Sequence, residues 1–348
     1  KILICGNLGY IGPVLTKHLK LSIPLSEITG LDTGYFASRI ISSGRIGDTY
    51  CNQQLYQDIR DVSTEYLAKF DAVIILSAIS NDPMGNKFED VTNSINYLAV
   101  KKIIEPYLKL KNKRLVFASS CSMYGASGGE AKKEYDTLNP LTAYSKSKVA
   151  VEEAMQKCQL GQGTTATSLR FATACGMSDR LRLDLVLNDF VASALIHKRI
   201  KILSDGTPWR PLIHIKDMAR AIEWGIHRDE NIASPYLAVN VGSNLWNYKV
   251  SDLAKAVADT VPNCQLSFNV KALSDKRSYK VNFDLFKKLA PNYTPIYSLQ
   301  DTISELVDGI SEIKHLIPDD FHTSDFIRLH ILENHLNNGR LSADLRWV

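Results

Sequence analysis

The chain has 348 residues, 45% apolar and 22% charged, with 41 lysines and arginines against 37 acids for a net charge of +4. That length builds one large domain or two ordinary ones with real cores, and the composition is that of a globular protein. The positive excess is too small to argue for nucleic acid; it suits a phosphorylated ligand met by a few converging cations. The longest apolar run, residues 72–79 (AVIILSAI), is far short of a membrane span and fits a buried strand, so no membrane partner is expected. The six cysteines (5, 51, 121, 158, 175 and 264) are scattered without a C-x-x-C pair. With no signal-peptide pattern in the first residues, they predict a reduced, cytoplasmic protein.

In chain order, KILIC (1–5), ITGLD (28–32), QQLYQD (53–58), AVIILSA (72–78), RLVFAS (114–119) and TSLRFA (167–172) read as strands. Between them lie helical spacings, such as Ile11, Val14, Leu15 and Leu19, or Val151, Ala154, Met155 and Cys158. The alternation predicts βαβ units in an α/β fold, a Rossmann-type doubly wound parallel sheet covered on both faces. After about residue 175 the rhythm loosens. Residues 183–198 read as a long helix, 204–211 as a loop, 237–242 as one more strand and about 325–337 as a helix. A boundary at 175 therefore divides a nucleotide-type domain over 1–175, to which 212–242 returns, from a smaller C-terminal α/β substrate-binding domain over 176–348.

CGNLGYIGP (5–13) sets Gly6, Gly9 and Gly12 between the first strand and the first helix. A tight turn there lets backbone approach a pyrophosphate, and the helix N-terminus adds free N–H groups and a positive dipole end. Pro13 suits the first helical turn. Asp32, 20 residues past Gly12, ends the second strand, where an acid accepts from both ribose hydroxyls. A carboxylate there disfavours a 2′-phosphate, so NAD is expected over NADP; Arg39 is the nearby cation that argues the other way. The competing reading is a glycine turn that only links strand to helix.

LTAYSKSKVAVEEAMQKC (141–158) puts Tyr144 and Lys148 one turn apart on a face that continues through Val151 and Met155. A lysine beside a tyrosine favours the phenolate. A phenolate beside a nicotinamide can take a proton from a hydroxyl as hydride leaves the same carbon. The alternative is a surface helix with a stray tyrosine. The preceding loop FASSCSMYG (117–125) holds hydroxyls and one thiol but no acid and no histidine. HILENH (330–335) spaces its two histidines five apart, unlike HExxH, so no metal is expected. His214 is expected to order a strand end.

The GxxGxxG turn, the Y-x-x-x-K pair and the serine loop together resemble the extended short-chain dehydrogenase/reductases, the NAD-dependent nucleotide-sugar epimerase/dehydratase enzymes, over most of the chain. The resemblance implies a catalytic Ser120, Tyr144 and Lys148. It implies NAD contacts from Gly6, Leu8, Gly9, Tyr10, Ile11 and Gly12 in the turn, and from Asp32, with Asp58 and Ile59 flanking the adenine. Leu76, Ser77 and Ala78, then Asn96, Ser119 and Phe171, with Tyr144 and Lys148 themselves, complete that set. It implies substrate contacts from Ser80, Ser122, Thr173, Asn188, Arg210 and Arg277, the two arginines pairing with a diphosphate.

Departures from the family pattern narrow the chemistry. Dehydratases usually carry Asp-Glu where this chain has Cys121 and Ser122, and enzymes acting at C3 and C5 carry a cysteine where it has Ser122. Thr173 stands in place of the usual Asn, and Ser77-Ala78 in place of Ala-Ala. What remains is 4-epimerisation, simple oxidation or reduction of a keto sugar; the expected reaction is C4 epimerisation of a nucleotide-diphosphate hexose through a transient 4-keto sugar. A 4-ketoreductase uses the same residues, and a non-catalytic dinucleotide-sensing protein is the rival from another class. The resemblance also implies a homodimer.

Overall fold

The inner strands pair as one parallel sheet because their aliphatic runs are buried on both sides. The computed structural model describes residues 1–41, 46–127, 129–269 and 278–348. The sheet strands are β1 (Ile2–Cys5), β2 (Ile28–Asp32), β3 (Gln53–Tyr56), β4 (Ala72–Ile75), β5 (Arg114–Ser120), β6 (Thr165–Phe171) and β7 (Tyr236–Val241). Their order is β7-β6-β5-β4-β1-β2-β3, every pairing parallel. The order reverses between β1 and β4, and a crevice opens at the carboxyl ends of strands at such a switch point. The expected strand over 72–78 stops at Ile75, because the amides of Leu76 and Ser77 both turn to the carbonyl of Cys5, at 2.8 and 2.9 Å.

The helices that matter here are α1 (Gly12–Ser22), α2 (Val100–Leu108), α3 (Ala143–Lys157), α4 (Val186–His197), α5 (Ile215–His227), α6 (Val250–Thr260), α7 (Leu299–Glu312) and α8 (Arg328–Asn337). Alternate residues of each strand feed opposite cores. Ile2, Ile4 and Val116 pack with Leu15 and Leu19 of α1 and with Ala219 and Ile222 of α5. Leu3, Cys5, Leu115 and Phe117 pack with Ile103 of α2 and with Val151 and Met155 of α3. A third core joins Leu187 and Val191 of α4, Leu253 and Val257 of α6, and Leu306 and Ile310 of α7. The end of the chain returns to the main sheet: Leu332, Leu341 and Leu345 belong to the second core.

The cysteines are all free thiols. No helix among the described residues is long and apolar enough to cross a membrane. His214 is fully buried; its Nδ1 accepts from the Lys216 amide at 3.1 Å and its Nε2 faces Glu305 at 2.8 Å, a cap on the start of α5.

One buried ion pair ties α3 to the sheet. Arg170 of β6 donates to both oxygens of Glu152 at 2.7–3.2 Å, and Ser119 of β5 donates to the same carboxylate at 2.6 Å. Glu152→Gln leaves the Arg170 guanidinium buried without its counter-charge. The expected loss is about 3–5 kcal/mol of unfolding free energy, read from the midpoint and slope of urea denaturation.

Candidate active site

The cleft at the switch point has a volume of about 940 Å³. Its floor is the glycine turn. Gly6 has φ of +91°, and a Cβ there would lie 2.5 Å from the Ser77 amide nitrogen, so only glycine serves. Gly12 meets Asn7 instead: a Cβ would fall 1.9 Å from the Asn7 carbonyl oxygen, which makes this glycine a matter of close turn–helix packing. Gly6, Gly9, Tyr10 and Ile11 line the cleft, as do Asp32, Asp58, Ile59, Leu76, Ser77, Ala78, Ser119 and Phe171.

Asp32 closes one end. Its Oδ1 accepts from the Gly34 amide at 2.7 Å and its Oδ2 from the Leu8 amide at 3.0 Å. Burial pushes its carboxyl above the usual range, against those two amides and the more distant Arg180 and Arg328. Arg39 turns away from the cleft. Its guanidinium stacks on Phe326 at 4.6 Å and lies 3.9 Å from Asp325, so it does not oppose the NAD reading.

The chemical wall is built by two local motifs. Thr142 caps α3 in a reciprocal box with Ser145, which sets Tyr144 in the first turn and Lys148 one turn on. Beneath Tyr144 and Lys148, Val151 and Met155 are fully buried and anchor the helix face. At the end of β5, Ser120 caps a short turn over 121–124, its Oγ accepting from the Ser122 amide at 3.1 Å. Ser120 also donates to the Ser122 hydroxyl at 2.9 Å, and it is the first neighbour to counter the rise that burial imposes on the Tyr144 phenol. The three predicted catalytic residues thus line one wall.

Their protonation is pulled in opposite directions. Burial pushes the Tyr144 phenol up to about 12, opposed by the Ser120 hydrogen bond and by Arg182, while Asp82 adds to the rise. Burial pushes the Lys148 ammonium down to about 7, opposed by Glu152. Lys148 donates to the Ala118 carbonyl at 2.7 Å and stands 5.5 Å from the Tyr144 ring centre. The expected lowering of the tyrosine by the lysine is not what sets it here: burial dominates, and the Ser120 hydroxyl is the first group to counter it.

Cys121 is closed off. It is 1% exposed, its thiol bonds the Arg170 carbonyl at 3.1 Å, and burial pushes it well above the usual thiol range. It can serve as neither acid nor base at neutral pH.

Among the predicted substrate residues, Ser80, Ser122, Thr173 and Arg210 line the cleft. Arg210 donates to the Trp209 carbonyl at 2.9 Å and stands over Tyr279 at 5.9 Å. Arg277 lies outside the described residues. Four expected contacts sit behind the wall instead. Asn188 is fully buried; its amide accepts from Gly176 and donates to Tyr10 and to the Arg182 carbonyl at 2.9–3.1 Å, so it ties α4 to the turn and has no donor left for phosphate. Asn96 brackets both backbone groups of Ile79, at 2.8 and 3.1 Å, from a π-helical turn over Ser94–Ala99, and so shapes the loop that the cofactor would meet. Leu8 offers its amide to Asp32, and Gly12 packs on Asn7.

Sequence reading missed Arg182, Asp184 and Arg328, which also line the cleft. Arg182 forms a two-point pair with Asp184 at 2.8 Å and donates to Ser80 at 3.0 Å. The alternation RLRLD was the signal for the first two; Arg328 gave none.

The residues fit a dinucleotide. The glycine turn approaches with bare backbone and Asp32 offers carboxylate oxygens. Ser77 lines the cleft, and its hydroxyl oxygen is buried without a partner among the described residues. Among those residues no cluster of three or more His, Cys, Asp or Glu is arranged to hold a metal.

Known proteins resemble this chain along most of its length. The uncharacterized UDP-glucose epimerase YtcB of Bacillus subtilis (strain 168) is 24% identical over 322 residues, 90% of this chain and 98% of that protein. MoeE5, solved with UDP-glucose and NAD, superposes with a TM-score of 0.74 at 20% identity, covering 90% of this chain and 99% of its own. TunA, an NAD-dependent NDP-hexosamine 5,6-dehydratase of tunicamycin biosynthesis, superposes at 0.75 with 19% identity, over 89% and 97%. The family model described as the NAD dependent epimerase/dehydratase family matches residues 2–242. With that match over a glycine turn, an acid-ended second strand and a Ser-Tyr-Lys wall, the chain belongs to the NAD-dependent epimerase/dehydratase family, and NAD is its cofactor.

Proposed function

We propose that this protein is a nucleotide-sugar 4-epimerase. The observation that carries the reading is that Ser120, Tyr144 and Lys148 line the same cleft as the glycine turn and Asp32, beside a thiol that is shut out of the chemistry. The loop offers hydroxyls alone, and hydroxyls support proton transfer at one carbinol and not the paired acid and base of an elimination. NAD supplies the hydride acceptor and donor. Tyr144 takes the proton of the sugar 4-hydroxyl as hydride leaves C4, and returns it to that oxygen when hydride comes back to the opposite face of the turned keto sugar. Ser120 bonds the reacting oxygen and steadies the phenolate. Residues 1–175 with 236–241 hold NAD, and the core around α4, α6 and α7, reached through Thr173 and Arg210, holds the sugar nucleotide. The same groups serve a 4-ketoreductase, and only the fate of the cofactor separates the two.

The first test identifies nucleotide released from denatured protein, then follows UDP-, GDP-, CDP- and dTDP-hexoses by NMR. A C4-inverted sugar with bound NAD and no net NADH is expected; turnover of a keto sugar only with stoichiometric NAD(P)H sinks the epimerase. Tyr144→Phe is expected to slow turnover by about 10²–10⁴-fold while NAD binding, followed by fluorescence, is kept.

Lys148 links this chemistry to stability. Its ammonium is held near pH 7 in the fold, against about 10.4 in an unfolded chain. Between roughly pH 7 and 10 the unfolded chain binds a proton that the folded one has released, so stability rises with pH there and is lowest below 7. Lys148→Met is expected to raise unfolding free energy at pH 6 by on the order of 2 kcal/mol and to flatten that slope, while turnover falls. Urea melts at pH 6, 8 and 10 check it; a wild type with flat stability over that range contradicts it.

A further inference from the structure

Helix α8 delivers an arginine into the cofactor cleft that no motif announced. Arg328 is the first residue of this ten-residue helix, and Ile327, Arg328 and Leu329 all line the cleft. The helix begins without a side-chain cap, so its positive end faces the cleft unneutralised. Its placement is firm. The Trp347 indole donates to the Thr33 carbonyl at 2.6 Å, Tyr35 bonds the Leu345 carbonyl, and Arg346 pairs with Asp61 at 2.7 Å. The C-terminal segment is thus bound to the loop that follows Asp32.

Arg328 is 3% exposed and lacks a direct ion pair among the described residues. The two arginines near it are paired: Arg180 with Asp48 at 2.7 and 2.8 Å, and Arg182 with Asp184. Arg328 has the face of Phe36 at 4.1 Å and one long bond to the Arg180 carbonyl at 3.3 Å, while its Nη1 has no partner. Burial, with Arg182 and Arg180 nearby, pushes its guanidinium down to about 9, against Asp184 and Asp32. A buried cation so placed calls for an anion.

We propose that Arg328 and the start of α8 bind the pyrophosphate of NAD, opposite the glycine turn. The neighbours decide which anion this is. Asp32 and Phe36 mark the adenosine half of the cleft, whereas Arg210 stands elsewhere, beside Trp209 and Tyr279. A 2′-phosphate at this end would meet the Asp32 carboxylate, and NAD carries phosphate only in its bridge. The cofactor is then clasped between the first and last helices of the chain.

The inference rests on the cleft being the NAD site, and its test separates the two claims. Adenosine, ADP, NAD and NADP are titrated calorimetrically into protein cleared of bound nucleotide. Arg328→Met is expected to weaken ADP and NAD by about tenfold to a hundredfold, with adenosine within twofold and NADP reduced in proportion to NAD. Equal losses for adenosine and ADP would show a loosened fold and overturn the assignment. So would unchanged ADP and NAD, or a loss confined to NADP. If Arg328→Met does not fold, Arg328→Lys carries the same test: at least a threefold loss for ADP with adenosine unchanged. A wild type that binds none of the four overturns the site itself.

Discussion

The geometry of the site depends on the buried carboxylate of Glu152. It gathers the Arg170 guanidinium and the Ser119 hydroxyl, and its charge is the one that favours the ammonium of Lys148. Arg170 in turn donates to the Tyr124 hydroxyl at 3.1 Å and to the Glu134 carbonyl at 2.7 Å, and Tyr124 reaches Asn240 on β7 at 2.7 Å. One network therefore spans β5, β6, β7, the serine loop and α3. It sets Ser120 and Tyr144, which lie on different elements, along the same cleft. It also explains the cysteine: the loop is drawn down onto Arg170, and Cys121 is pinned to that residue's carbonyl and closed off from the cleft.

What could be read in the sequence was what is local. The glycine turn, the acid at the end of β2 and the Tyr-Lys spacing each express one turn or one strand, and the fold class followed from the alternation of elements. Asn188 shows where that reading stops. Its residue type suits phosphate, but its partners lie 178, 12 and 6 positions away and consume the amide. The same holds for Arg328, brought to Asp32 and Phe36 by a chain end that was expected to stay with the smaller part. A helix from 325 was foreseen, yet nothing in its own pattern told which sheet edge it would join. Burial was the other blind spot: spacing can bring Lys148 near Tyr144, but it cannot say how far lost solvation shifts them both.

That loss of solvation is what makes the wall chemically useful. Burial raises the phenol and lowers the ammonium together, so both groups are held toward their neutral forms at physiological pH. A neutral tyrosine is a poor base on its own. It becomes a good one when a hydroxyl oxygen enters the same hydrogen-bonded cluster and its proton can move as the carbon is oxidised. A neutral or half-charged lysine close by can gain a proton as negative charge develops, and Glu152 favours that gain. The site is thus set to respond to a substrate hydroxyl and stays quiet without one.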